Sequence, residues 1–249
     1  IAPTPGGRGY WLAQAGGGVY SYGDAEFHGS LQSVGGHLAK PIVAIASSPD
    51  GKGYWLVGAD GGVFAFGDAG YYGSLPSHGI TPVGPIVAIA PTTDGDGYWL
   101  LGADGGVFSF GNAVYDGRGT VGGSPWESIA ALSGGGYAVA GSKPGQIAQQ
   151  PGDSALSTSS TGPRDGVAAS MSAAAVKPDA KGSWQVGLDG GVFTFRHANY
   201  YGSLPGSGIH PAKPIVDIAA TPDDGGYWLL GSDGGVFAFG DAGFYGSAA

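Results

Sequence analysis

DGGVFAFGDAG at 60–70 returns as DGGVFSFGNAV at 104–114, DGGVFTFRHAN at 189–199 and DGGVFAFGDAG at 233–243, with a looser GGGVYSYGDAE at 16–26. A chain that restates one phrase at this pace is assembled from one small unit used many times. Tyr-Trp pairs keep the register: Tyr10-Trp11, Tyr54-Trp55, Tyr98-Trp99 and Tyr227-Trp228. Ser183-Trp184 fills the same slot, and Tyr137 marks a sixth, degraded copy. Successive copies lie 44, 44, 39, 46 and 44 residues apart. A period in the low forties with strand-like content is that of a propeller blade, whereas β-solenoid repeats are much shorter.

One unit reads PIVAIASSPDGKGYWLVGADGGVFAFGDAGYYGSL at 41–75. PIVAIA is a short, continuously apolar run, as in a strand buried on both faces. SPDGKG supplies Pro, Asp and Gly for a turn, and YWLV is suited to a pleated, half-buried surface. Asp-Gly tolerates the positive φ angles of a tight hairpin turn. VFAF then places Phe64 and Phe66 on one face, and YYGSL predicts a fourth, outer strand. The sequence thus predicts an all-β six-bladed β-propeller of four-stranded antiparallel blades with the fourth blade degenerate. It forms a single domain over 1–249, with units at about 1–40, 41–84, 85–124, 125–166, 167–213 and 214–249. A seven-bladed ring lacking one blade is the competing count. The aromatics Phe64, Phe108, Phe193 and Phe237 are expected in the core, and the recurring tryptophans between blades.

The wording GYWLVGADGGVFAFGDAGYYGSL resembles the Gly-rich repeat found in tandem in secreted and cell-surface proteins of actinobacteria, where it is read as a β-propeller. The resemblance covers five units well and the fourth poorly. It implies extracellular or cell-surface placement and binding rather than a reaction. The units resemble the quinoprotein repeat more loosely, without its cofactor signature.

Composition narrows the function classes. Net charge is −9 and only 12% of residues are charged, which argues against the clustered Lys and Arg of a nucleic-acid surface. No stretch approaches the eighteen apolar residues of a membrane span, so no membrane insertion is expected. With no cysteine, disulfides and thiolate metal sites are excluded. There is no Gly-x-Ser-x-Gly elbow, no His-Glu-x-x-His pair and no Gly-Lys-Ser/Thr phosphate loop. Glu26 and Glu127 are the only glutamates and fall in different units, so a carboxylate pair for glycoside hydrolysis would need aspartates from separate blades.

These observations predict a non-enzymatic module with no cofactor and no metal, for multivalent recognition of carbohydrate or cell-envelope polymer, and the resemblance implies that it acts outside the cell. A propeller glycoside hydrolase or lyase with a site on the central face is one alternative, and a structural protein-docking platform is another. An enzyme should bring non-repeating acidic residues to the axis, and a lectin should repeat one site in several blades.

The candidate ligand residues lie on the face of the hairpin turns and blade-to-blade loops: Asp60, Asp104, Asp189 and Asp233, with His37, His78 and His210. Asp before Gly is also favoured for turn geometry alone, and one Asp per blade lacks the clustered oxygens of a Ca²⁺ site. Tyr72, Tyr201 and Tyr245 sit where hydroxyls could reach the rim. The fourth and fifth units break the pattern, with KPGQIAQQPG at 143–152 and Arg196-His197 for Gly-Asp. Their drift offers a protein-partner surface, and repeat decay explains it equally.

Overall fold

The computed structural model describes residues 1–117, 125–142, 147–149, 171–176 and 182–249. The protein is all-β, with six small antiparallel sheets, each a three-stranded meander. The first holds β1 (Ala2–Pro3), β2 (Gly9–Ala13) and β3 (Val19–Gly23), and the second β4 (Ile42–Ser47), β5 (Gly53–Gly58) and β6 (Val63–Gly67). The third holds β7 (Ile86–Pro91), β8 (Gly97–Gly102) and β9 (Val107–Gly111), and the fourth β10 (Trp126–Ala131), β11 (Tyr137–Gly141) and β12 (Ile147–Gln149). The fifth holds β13 (Met171–Val176), β14 (Gly182–Gly187) and β15 (Val192–Arg196), and the sixth β16 (Ile215–Ala220), β17 (Gly226–Gly231) and β18 (Val236–Gly240).

Each middle strand is buried on both faces, and its alternation decides which neighbour it meets. On β5, Tyr54 and Leu56 join a core cluster with Trp11 and Leu31 of the first unit. Trp55 and Val57 join one with Tyr98, Leu100 and Phe110 of the third. Six clusters result, one between each pair of consecutive units. The last of these pairs Trp228 of the sixth unit with Tyr10 and Leu12 of the first, so the series of contacts returns to its start.

Five of the six junctions carry the same ring contact. The tryptophan of one unit lies against the tyrosine of the next: Trp11 on Tyr54, Trp55 on Tyr98, Trp99 on Tyr137, Trp184 on Tyr227 and Trp228 on Tyr10, with centroids 5.4–6.0 Å apart. Between the fourth and fifth units the two slots hold Ala138 and Ser183, and a small cluster of Ala138, Ala140 and Ala174 fills the junction. Gln185 Nε2 donates to the Gly141 carbonyl there at 3.0 Å.

The expected fourth strand is a correction. YYGSL and its copies form no strand among the described residues, because side chains take up their backbone groups. The indole N–H of Trp55 donates to Gly70 O at 2.6 Å, and the equivalents reach Glu26, Val114, Asn199 and Gly243. The tyrosine of the following unit donates to the glycine after the aromatic pair, as Tyr98 to Gly73 at 2.6 Å and Tyr227 to Gly202 at 2.5 Å. Tyr54 and Tyr137 do the same to Gly29 and Gly117. That glycine has φ of +127° at Gly73, with a Phe110 ring carbon 2.9 Å from where a Cβ would stand. A side chain would fit neither the backbone nor the ring, so a ladder cannot continue through it.

That ring explains a second correction. Phe66, Phe110 and Phe195 are buried, whereas Phe64, Phe108, Phe193 and Phe237 are half-buried and pack only at the edges of the clusters. Alternation put both phenylalanines of a strand on one face, but only the second tucks beneath the preceding unit's glycine. In the fourth unit, Ile147 stands opposite Ala140 as Val63 stands opposite Val57. Ile147 therefore takes the place of Val63, and Ala148 that of Phe64. The rest of that unit's irregular stretch, 150–166, lies outside the described residues. In the fifth unit Arg196 takes φ +58°, where Gly23, Gly67, Gly111 and Gly240 stand at +67° to +71°. It thus holds a left-handed conformation that costs a side chain about 1–2 kcal/mol.

Candidate functional site

The four turn aspartates are spent, on one oxygen, in holding their turns. Asp60 Oδ1 accepts the Gly62 N–H at 3.0 Å, and Asp104, Asp189 and Asp233 accept from Gly106, Gly191 and Gly235 at 2.9–3.1 Å. This is the side-chain turn bond expected of Asp two residues before the donor. His37 and His210 are exposed loop residues. His78 ends a 3₁₀ turn (Pro76–His78), with Nδ1 3.0 Å from Ser74 O and its ring 5.6 Å from Phe110. No three metal-ligating side chains gather among the described residues.

A different set of residues stands out on the outer segment. The position directly after GDAG or its equivalent is Phe27, Tyr71, Tyr115, Tyr200 or Phe244, one in each of the five regular units. All five are exposed, from 38% at Tyr200 to 61% at Phe244. Their flanks are fixed: the carbonyl before each is held by the tryptophan of its own unit. The residue after the aromatic anchors to the next unit. Tyr72, Tyr201 and Tyr245 hydroxyls donate to Gly95, Asp224 and Gly7 carbonyls at 2.9, 2.6 and 3.2 Å. The sequence singled out these second tyrosines for the rim, but they are committed to the neighbouring turn. Their predecessors are the free rings, an offset that the repeat pattern alone could have flagged. Tyr71 and Tyr200 each donate a hydroxyl hydrogen bond to the serine three residues on, Ser74 and Ser203, at 3.2 and 2.9 Å.

The second feature is a central cavity of about 700 Å³ to which the first strands of all six sheets contribute. None of the seven Asp and His candidates lines it. The first strand is bulged in units two to six, because the register with the middle strand slips between Ile42 and Ala44 and at the four equivalent places. The bulged residues are Val43, Val87, Glu127, Ser172 and Val216, and all five line the cavity. Bulges re-aim side chains. Here they turn one residue per unit onto the central wall.

Glu127 is the exception in that ring of mostly apolar residues. Its Oε2 is buried without a hydrogen-bond partner, and burial pushes the carboxyl up to about 7. Ser172, the neighbouring bulge, donates its hydroxyl to Val186 O at 3.1 Å. Asp217, one residue past the bulge in the sixth unit, holds the Ile1 nitrogen at 2.8 Å. Sequence reasoning noted Glu127 only as unpaired. Its alignment with Val43, Val87 and Val216 was the signal available.

No protein-family model matches this chain, and no curated protein matches it. Its function therefore has to be read from the rim and the cavity. No helix among the described residues is long and apolar enough to cross a membrane.

Proposed function

We propose that the chain is a six-bladed β-propeller that acts outside the cell as a non-enzymatic binding module, gripping a carbohydrate or cell-envelope polymer through aromatics repeated around its rim. The observation that carries this reading is the exposure of Phe27, Tyr71, Tyr115, Tyr200 and Phe244 at one register position. A single exposed aromatic needs no explanation. Five at equivalent positions, on segments anchored on both sides, are not needed for packing. A flat ring offers an apolar face to the C–H face of a sugar, with backbone and Ser hydroxyls beside it for its OH groups. Six consecutive junction cores with a first-to-last contact support the closed ring. Such a ring would hold the five sites at fixed separations. Individually weak sites then act together, and avidity exceeds single-site affinity by about 10²–10⁴.

The test is binding to immobilised cell-envelope polysaccharide. Tyr71→Ala alone should weaken binding slightly. Replacing all five aromatics with Ala should reduce it by about 100-fold or more. The melting temperature should fall by no more than about 5–10 °C, since five exposed substitutions each cost about 0.5 kcal/mol or less. Asp60→Asn with Asp104→Asn keeps an oxygen acceptor for each turn and should leave binding intact. Unchanged binding by the five-Ala variant overturns the rim reading, and loss only in the Asp→Asn pair would move the site to the hairpin turns.

A further inference from the structure

The central cavity holds a charge arrangement that polymer binding at the rim does not use. Its wall is largely apolar, through Val43, Val87 and Val216 and the alanines beside them, yet every ionisable side chain on it among the described residues is acidic: Glu127, Asp217 and Asp224. No Lys, Arg or His side chain among the described residues lines it. Asp217 already holds the Ile1 nitrogen through Oδ2 and the Ile218 N–H through Oδ1. Glu127 Oε2 has no partner among the described residues. An unpaired carboxyl on an apolar wall costs free energy. The fold does not need one there, because the equivalent bulges carry Val or Ser.

We infer that this cavity is a second ligand site, for a small organic monocation, an amine carried on an apolar body, with Glu127 as its counter-ion. A bare metal ion fits poorly. The described residues hold no group of three ligating side chains, and hard cations such as Ca²⁺ require six to eight oxygens. An alkylammonium uses both halves of the wall, a charge-assisted hydrogen bond to the carboxylate and an apolar chain against the valines. A cavity of about 700 Å³ is of small-molecule size.

The proton and the amine compete for the same carboxylate, since burial holds Glu127 up to about 7. Strands β7 and β13, packed on either side of β10, carry no titratable side chain. Tyr98 on β8 and Tyr137 on β11 commit their hydroxyls to Gly73 and Gly117. Among the described residues, Asp217, Asp224 and the Ile1 nitrogen are the remaining charged groups on the wall.

Titration calorimetry with n-butylammonium and with n-butanol separates charge from shape. At about pH 8 the amine should bind about tenfold more tightly than the alcohol. Glu127→Gln and Glu127→Val should both remove that preference, Glu127→Val doing so with the repeat's own residue and hence an intact fold. Between about pH 6 and pH 7, amine binding to the unmodified protein should release protons, seen as a dependence on buffer ionisation enthalpy, and binding to Glu127→Gln should not. No heat with the amine, equal affinity for amine and alcohol, or an unchanged preference in Glu127→Gln each overturns the inference. Polysaccharide binding should survive Glu127→Gln, so failure here is distinguishable from failure at the rim.

Discussion

Trp228→Ala is expected to lower the unfolding free energy by about 3–5 kcal/mol, the range for deleting a large buried aromatic. Trp228 is fully buried. Its ring lies 5.7 Å from Tyr10 across the contact between the last and first units, and its indole holds Gly243 O at 2.7 Å. Truncation leaves a cavity between two sheets and an unpaired carbonyl on the outer segment. Connecting chain also joins the other consecutive units, whereas the first and last meet through side chains, the hydroxyl bonds of Tyr10 and Tyr245 and the Ile1 nitrogen on Asp217. The loss should therefore exceed that of Trp55→Ala, the same truncation of a fully buried tryptophan between units that connecting chain also joins. Chemical denaturation of the two variants measures the difference, and equal midpoints would show that the first-to-last contact is no more critical than any other.

Glu127→Val is expected to stabilise the protein above neutral pH and to leave it unchanged in acid. The carboxyl stands at about 7 in the folded chain against an ordinary 4.5. The folded state thus retains a proton that the unfolded state has lost between those values. That contribution is complete below about pH 4.5 and disappears as pH rises through about 7, when a charge must be held on an apolar wall. Allowing for solvent reaching the cavity, the variant should gain about 2 kcal/mol at pH 8. For a chain of this size that is a rise of about 4–8 °C in melting temperature. A parallel pH dependence in both proteins would show that Glu127 is well solvated.

The strands that pair locally were legible because Tyr-Trp and Val-Phe alternation and the Asp-Gly turn report contacts a few residues apart. The outer segment was not. Its backbone is claimed by a tryptophan fifteen residues earlier and by a tyrosine 25 residues later in the next unit, as Gly70 and Gly73 show. No local propensity carries that information, so aromatic content suggested a strand. Face assignment failed for a related reason: Phe64 and Phe66 share a side, and only the neighbouring unit's Gly29 determines which of them is covered. The turn aspartates were put forward as ligand residues with turn geometry as the competing explanation, and their Oδ1 bonds account for the turn, whereas Glu127 was hidden because a bulge, not a period, aims it inward.

The junction of alanines between the fourth and fifth units is a seam. Each of the other five interfaces locks a tryptophan against a tyrosine, and a buried aromatic covers about 150–250 Å². Ala138, Ala140 and Ala174 cover far less, and a Gln185 bond to Gly141 spans them. In a molecule stabilised by nearest-neighbour interfaces, opening starts at the weakest one. Amide exchange should therefore be fastest in β11 and β13 and slowest in β5 and β8. The seam confines breathing to one edge, so units joined by the five locked interfaces would keep their spacing while it opens.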